Sequence, residues 1–143
     1  MAEQGRRYVA LDFGAESGRA IVGRIADDAL EIEPVHRYPN VPVRMGGTLY
    51  WDFARQFGDI LAGMQKAAAD GPVHSVSVDT WGVDYGFIDA RGKLIGNPVH
   101  YRDNRHESML EEAFSVVPRD ELYMATGIQF MSINTLYQLL SEV

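Results

Sequence analysis

The sequence predicts an α/β fold that begins with antiparallel strands, and three observations predict it. Val9, Leu11 and Phe13 alternate along one face of a strand, and a β-leaning run from Ala20 to Ile25 follows after only a glycine-bearing turn. Phe53, Phe57, Ile60, Leu61, Met64 and Ala68 then recur at i, i+4, i+7, i+8, i+11 and i+15, the spacing of one helical face. Strand character returns from Val73 to Thr80, where Val76 and Val78 share a face and Asp79 arrives at the end.

Each element has a local reason. Met1 to Arg6 is polar and is expected to fray. The stretch Asp12 to Arg19 forms the tip of the first hairpin, and Asp27-Asp28 turns the chain into Ala29 to Arg37. There Leu30 and Ile32 alternate with Glu31 and Glu33 until Pro34 interrupts, which marks an edge strand. Tyr38 to Gly47, with Pro39, Pro42, Gly46 and Gly47, reads as loop. Asp52 caps the long helix and Gly71-Pro72 stops it. Tyr85 to Asp89 and Lys93 to Pro98 read as a hairpin around Ala90-Arg91-Gly92. Asn104 with Glu107 offers a capping box for a helix carrying Met109, Leu110, Ala113, Phe114 and Val117. Pro118 opens a short helical turn that Gly127 ends. The last segment, Asn134 to Val143, places Leu136, Leu139, Leu140 and Val143 at helical spacing and stops on an apolar residue without a cap, so the chain is expected to continue in something longer. Three strands in hairpin succession followed by helix, strand and helix is the opening order of the ribonuclease-H-like or actin-like fold.

Composition narrows the chemistry. The 143 residues are one domain's worth of material, and 46% apolar content is enough for a core. The absence of Cys removes disulfides and thiolate metal sites, and no apolar run is long enough for a signal core or a membrane span, so a reducing cytoplasm is the expected setting. A net charge of −7 argues against a nucleic-acid-coating protein, which needs clustered Lys and Arg to displace counterions. His36, His74 and His100 share no zinc-like spacing, and His106 has no second His beside it.

The hairpin tip carries the most pointed chemistry. Gly14 and Gly18 allow main-chain amides to approach an anion without Cβ obstruction, with Ala15, Glu16 and Ser17 between them. Asp12, at the strand's end, is a carboxylate able to hold Mg²⁺ or its water shell, while Ser17 and Arg19 can donate to anionic oxygens. No Gly-Lys-Ser/Thr follows, so this is not a strand-loop-helix P-loop. Taken alone, the stretch reads equally well as a hairpin turn with a solvated acid and base. Asp79 reads as a strand-end acceptor or a catalytic acid, Trp81 as core filler or a ligand wall, and Asp84 as a metal-shell acid or a turn residue.

Two longer motifs stand beside the tip: Val78-Asp79-Thr80-Trp81-Gly82-Val83-Asp84-Tyr85 and Pro98-Val99-His100-Tyr101-Arg102-Asp103-Asn104-Arg105. Together with Asp12 to Arg19, Thr126 to Phe130 and Asn134 to Leu139, they resemble the amino-terminal part of the FGGY carbohydrate kinases from about Tyr8 to Leu140. The resemblance implies two actin-like domains with ATP and sugar in the cleft between them. Residues 1–143 would then be the amino-terminal part of the first domain, and the second domain would be absent from this chain. It also implies ATP-dependent phosphorylation of the 1-hydroxyl of a ketose, L-rhamnulose, by the longer parent, with the chain itself inactive because the general base lies farther along.

Under the same resemblance Asp12 organises Mg²⁺ and Gly14 to Gly18 wrap the phosphates. Arg19 neutralises charge on the transferred group, Trp81 and Gly82 begin the sugar site, and Arg102 and Asp103 meet sugar hydroxyls. Glu16 departs from the family pattern, where Ser or Thr is common, and a carboxylate there repels phosphate unless it points outward. Two rivals remain at this level: a non-catalytic actin-like module that binds sugar or nucleotide, and a ribonuclease-H-like nuclease using Asp12, Asp79 and Asp84 with two metals.

Overall fold

The computed structural model describes residues 5–143 and is mixed α/β. The expected fraying of Met1 to Arg6 falls outside the described residues except at Gly5 and Arg6, where Arg6 opens the first strand. Strand β1 (Arg6–Phe13) turns tightly into β2 (Ser17–Ala26), which pairs antiparallel with β3 (Ala29–Pro39). Strands β4 (Val43–Met45) and β5 (Thr48–Tyr50) form a separate ribbon, helix α1 (Phe53–Ala69) follows, and β6 (Ser75–Asp79) joins β1 in parallel. The main sheet has the order β3-β2-β1-β6. Thereafter come a 3-10 turn at Asn104–His106 and helices α2 (Met109–Val116), α3 (Arg119–Thr126) and α4 (Thr135–Leu140). The chain divides into two compact units, one of residues 5–41 and Asp52–Trp81, the other of Pro42–Trp51 and Gly82–Val143.

In the first unit the strand periodicity works as expected. Val9 and Leu11 of β1 lie in register with Val22 and Ala20 of β2, all buried, and Phe13, Val35, Ile60 and Val73 pack against them with Ala67. Each fully buried Val or Leu contributes about 1.5–3 kcal/mol of apolar burial. The Asp27-Asp28 turn adopts left-handed φ values of 49° and 60°, which short acids tolerate and a two-residue hairpin requires. Strand β3 is an edge strand, as its Pro34 demands, and the register slips there: Ala20 faces His36 while Ile21 faces Pro34, leaving Val35 as the extra residue of a bulge.

Helix α1 begins and ends where its caps place it, with the Asp52 carboxylate accepting the Arg55 N–H at 3.2 Å and Gly71 at φ 125° past its end. Its buried face is not the expected one. Gln56, Gly63 and Ala67 are buried and Ile60 packs on the core, whereas Phe53, Phe57, Leu61 and Met64 are exposed. The reason is steric: a Cβ on Gly63 would sit 2.7 Å from Ala20 Cβ, so the helix lies on the sheet through its smallest residues.

Other expectations change in the second unit. The stretch Tyr38 to Gly47 is not all loop, because β3 continues to Pro39 and β4 and β5 form a short hairpin about Gly46-Gly47, at φ 57° and 92°. The predicted hairpin at Tyr85 to Pro98 reduces to a bridge between Ile88 and Leu94, closed by Asp89 Oδ1 accepting the Arg91 and Lys93 N–H groups at 2.8 Å each. Asn104 is not the cap of the next helix. The Asp103 carboxylate caps a 3-10 turn instead, and α2 starts after Ser108. Pro118 and Gly127 (φ 64°) bound α3 as expected. In α4 the buried residues are Tyr137 and Gln138, while Leu136 and Leu139 are exposed.

Gly18 supplies a direct test of the hairpin's packing. A Cβ there would overlap the Tyr38 ring, which lies opposite it in the β2–β3 register. Gly18→Ala should lower unfolding stability by about 1–3 kcal/mol through overpacking, read from urea midpoints followed by far-UV circular dichroism. An unchanged midpoint would show that Tyr38 is not seated there.

Candidate active site

The end of strands β1, β2 and β6 brings together Asp12, Arg19 and Asp79. Asp12 sits opposite Arg19 across the hairpin and opposite Asp79 on the parallel neighbour β6. Partners in register project to the same side of a sheet, so both carboxylates stand at one edge. The Arg19 guanidinium pairs with Asp12 at 3.0 Å, and both side chains stay partly exposed, at 46% and 34%. Phe13, one residue on, meets the Trp81 ring edge-to-face at 6.4 Å and the Tyr38 ring at 6.1 Å.

The glycines of the tip do their work differently from expectation. Neither Gly14 nor Gly18 has a positive φ. Gly14 is required because a Cβ would stand 2.8 Å from Ser17 O, and its own N–H closes the turn onto Ser17 O at 3.1 Å; Gly18 is required by Tyr38. Glu16 has an exposed side chain, and its carbonyl accepts the Asn40 N–H at 2.9 Å. Ser17 Oγ accepts from Arg37 at 3.3 Å.

Asn40 and Gln56 were not singled out by sequence reasoning, yet they hold this tip. Asn40, buried, donates its side-chain amide to Gly14 O at 2.9 Å and its main-chain N–H to Glu16 O, and its Oδ1 accepts Gln56 Nε2 at 2.6 Å. The usable signal was Gln56 itself, a polar residue on the side of α1 that carries Ile60, Gly63 and Ala67. Tyr38 is pushed up to about 12, by burial first and then by the Asp59 and Asp12 carboxylates, and stays a neutral phenol beside the turn.

The second unit holds the remaining candidates. Gly82 is exposed, with open space where a Cβ would be. Arg102 is exposed and lies over the Tyr101 ring at 5.2 Å. Asp103 is buried, and its carboxylate is already engaged by the main chain: Oδ2 accepts Leu49 N–H at 2.6 Å and Oδ1 accepts Arg105 N–H at 3.1 Å. Burial would raise its pKa, but these two N–H groups outweigh it and the carboxyl is held below its ordinary value. Asp103 is a brace between β5 and the 3-10 turn.

Beside it, Trp51 stacks on His100 at 3.9 Å and His100 on Tyr101 at 4.6 Å. His100 Nδ1 accepts Arg102 N–H at 3.0 Å, which calls for the neutral ring, and burial with the nearby Arg102 charge lowers its pKa to about 4. Asp84 is half-buried and belongs to no group of three metal-ligating side chains among the described residues. Burial lifts it to about 6, opposed by the Trp51 indole N–H and the Tyr101 main-chain N–H turned toward its carboxylate. Among the described residues no three His, Asp or Glu side chains gather as a metal set, which is what the two-metal nuclease reading required. A single carboxylate at a strand end does fit Mg²⁺, which keeps most of its water shell and takes one or two protein carboxylates beside substrate phosphates.

No family model matches the chain. Curated relatives do. It is 40% identical over 133 residues to a rhamnulokinase of Oceanobacillus iheyensis, covering 92% of this chain, and 38% identical over 135 residues to that of Bacteroides thetaiotaomicron, covering 94%. This chain matches the amino-terminal part of the rhamnulokinases, which are FGGY carbohydrate kinases. It spans 28% of the length of these relatives. Solved structures show the same fold at lower identity. A gluconate kinase from Lactobacillus acidophilus superposes with TM-score 0.76 at 16% identity over 96% of this chain and 28% of its own. A glycerol kinase from Plasmodium falciparum superposes with TM-score 0.61 at 19% identity over 97% of this chain and 29% of its own. The fold is therefore the actin-like ATPase fold of the sugar kinases, as the element order and the resemblance to FGGY carbohydrate kinases implied.

The Asp84 and His100 environments generate a pH prediction. A carboxyl raised from 3.8 to about 6 holds its proton more tightly when folded, so its contribution to stability falls as pH rises from about 4 to about 6. An imidazole lowered from 6.5 to about 4 has the opposite effect, with stability rising over the same window. Asp84→Asn removes the falling contribution and leaves the rising one of His100 unopposed by it. Urea midpoints at about pH 4.5 and about pH 7 should therefore rise more steeply with pH in the variant than in the wild type. Parallel profiles would remove Asp84 from the buried cluster.

Proposed function

We propose that the protein carrying this chain is an ATP-dependent ketose kinase, that it transfers phosphate to the 1-hydroxyl of L-rhamnulose, and that it works in the cytoplasm. The observation that supports this reading most directly is the match to rhamnulokinases over 92–94% of the chain, with Asp12, Arg19 and the braced hairpin falling together at one strand end. In this reading residues 1–143 form the amino-terminal part of a first actin-like domain, and the general base and the adenine pocket lie in parts of the protein outside them.

Mechanistically, the Ala15–Ser17 main chain offers amides to phosphate oxygens, and the bonds from Asn40 keep that turn rigid so that little ordering is left for the moment of binding. Asp12 would hold Mg²⁺ through its shell, and the ion when bound screens the charge of the phosphates. Arg19, tethered to Asp12 in this structure, reaches the oxygens of the transferred group and offsets the charge developing there. Trp81 presents an apolar face and Gly82 an open main chain to the sugar, with Arg102 a donor to its hydroxyls. Asp103 contributes by holding the Arg102 segment through its bonds to Leu49 and Arg105.

Two variants of the complete kinase test this. Asp12→Asn should lower kcat by roughly a hundredfold or more while circular dichroism stays native, because an amide neither holds a cation nor pairs with Arg19. A kcat near wild type rejects the role. Trp81→Ala should reduce kcat/KM for L-rhamnulose by roughly ten- to a hundredfold, equivalent to about 1–3 kcal/mol of lost apolar contact, while KM for MgATP moves little. A collapse of ATP affinity with sugar affinity intact would place Trp81 on the nucleotide side.

A further inference from the structure

A second concentration of charge lies at the other end of the main sheet. Where β1 and β6 begin, β2 nears its end and α1 stops, a recess of about 520 Å³ opens, with Arg6, Arg7, Arg24, Asp70 and His74 in its walls. Arg6 opens β1 and Asp12 lies near its far end, about 20 Å away at about 3.3 Å per residue, so the recess is remote from the hairpin tip. In a chain of net charge −7 it brings three guanidinium groups together against one carboxylate.

Two of these cations stand where strand pairing alone disfavours them. Arg7 and Arg24 are direct cross-strand partners in the antiparallel β1–β2 pair, and like charges placed opposite each other are destabilising without a counter-charge. Arg7 is only 9% exposed. Its Nη1 and Nη2 donate to the Gly71 and Ala67 carbonyls at 2.7 Å each, and its buried Nε has no hydrogen-bond partner among the described residues. Those carbonyls carry no formal charge, so they orient the guanidinium without cancelling it. Arg24 reaches Glu33 at 3.6 Å with both side chains partly exposed, a contact worth little in water. Among the described residues no carboxylate forms an ion pair with Arg6 or Arg7. His74, the residue before β6, is held at the recess by its N–H on Arg7 O at 2.7 Å and by edge-to-face contact with the Tyr8 ring at 5.5 Å.

We propose that this recess binds a phosphate group, carried by a phosphate monoester or free in solution. A phosphate dianion supplies the counter-charge that the opposed arginines lack, and guanidinium forks meet its oxygens through paired charge-assisted hydrogen bonds. Arg24 and Arg6 are the binding side chains, and Arg7, tied to the end of α1, sets the positive field behind them. The volume exceeds that of a phosphate alone, and Pro72 and Val73 give the wall carbon against which the remainder of an ester packs. Asp70, the one acid, is an acceptor for a hydroxyl of that remainder. The inference uses none of the residues assigned to the ketose kinase reading and stands apart from it.

The test titrates the complete protein calorimetrically with inorganic phosphate, at an ionic strength held constant with chloride. Replacing both binding arginines, Arg6→Gln with Arg24→Gln, should weaken phosphate by roughly tenfold or more, because two charge-assisted contacts are lost. Arg6 is exposed and Arg24 half-buried, so native circular dichroism should persist; Arg24→Gln alone carries the same direction and serves if the double variant unfolds. Arg19→Gln, at the hairpin tip, should leave this binding event in place. Unchanged affinity in the folded arginine variants overturns the site. Loss of binding in Arg19→Gln instead puts the phosphate at the tip and also overturns it, as does a wild type that binds no phosphate at millimolar concentration. Glycerol 3-phosphate separates the two sources: affinity above that of inorganic phosphate assigns the recess to an ester, and equal affinity assigns it to the phosphate group alone.

Discussion

The hairpin tip depends on one buried amide. Asn40 ends the run that leaves β3, and its side chain makes two bonds that no apolar residue could replace, to Gly14 O and from Gln56. With the N–H of Asn40 on Glu16 O, two bonds from Asn40 converge on a turn of only a few residues, and the third, from Gln56, holds Asn40 in place. Each buried polar group left without its partner costs about 1–3 kcal/mol, so the arrangement holds as a set or is lost as one. Its consequence for function is geometric. The strand order brings Asp12 to the edge of the sheet, but the fixed position of the adjoining main chain comes from the Asn40 and Gln56 layer, which sits behind the residues that would touch a ligand.

Close approach is the second constraint, and it explains where the sequence was legible and where it was not. Alternation in β1 located its part of the core because that strand lies inside the sheet, where period two has one meaning. The apolar stripe of α1 was equally clear as a pattern and pointed to the wrong side. The helix sits on the sheet through Gly63 and Ala67, and small residues carry little weight in a hydrophobicity pattern although they decide how near two backbones come. In α4 the same substitution of roles occurs, with Gln138 buried by its bonds to Val83 O and Ile133 O and Leu136 turned outward. The β4–β5 ribbon was missed because its strands have three residues each and Gly46-Gly47 was taken as loop rather than as the turn that pairs them.

The candidate site divides along the same line. Asp12 and Arg19 could be read from the strand and turn pattern, since a register set by a short turn places them opposite each other. The bracing bonds of Asp103 could not be read from residue type alone. An acid beside an arginine looks like a pair of ligand groups, but its neighbours in space are the Leu49 and Arg105 N–H groups, one of them contributed by a strand distant in sequence. Asp84 illustrates the converse. It sits within a motif that reads as a turn, and only burial beside Trp51, His100 and Tyr101 gives it a raised pKa.

A tip proposed to meet a polyanion in a chain of net charge −7 invites a question of scale. Screening at physiological ionic strength reduces exposed charges to minor influence beyond about 8 Å, so the distant acids matter less than the groups at the turn. There the balance differs from that of the whole chain. Arg19 lies on Asp12 and Arg37 on Ser17, which brings two guanidinium groups to the hairpin, while the Glu16 carboxylate is exposed and its residue is held by its carbonyl rather than by its acid. Asn40 fixes the main chain of Glu16, so the turn's geometry does not depend on what the Glu16 side chain does.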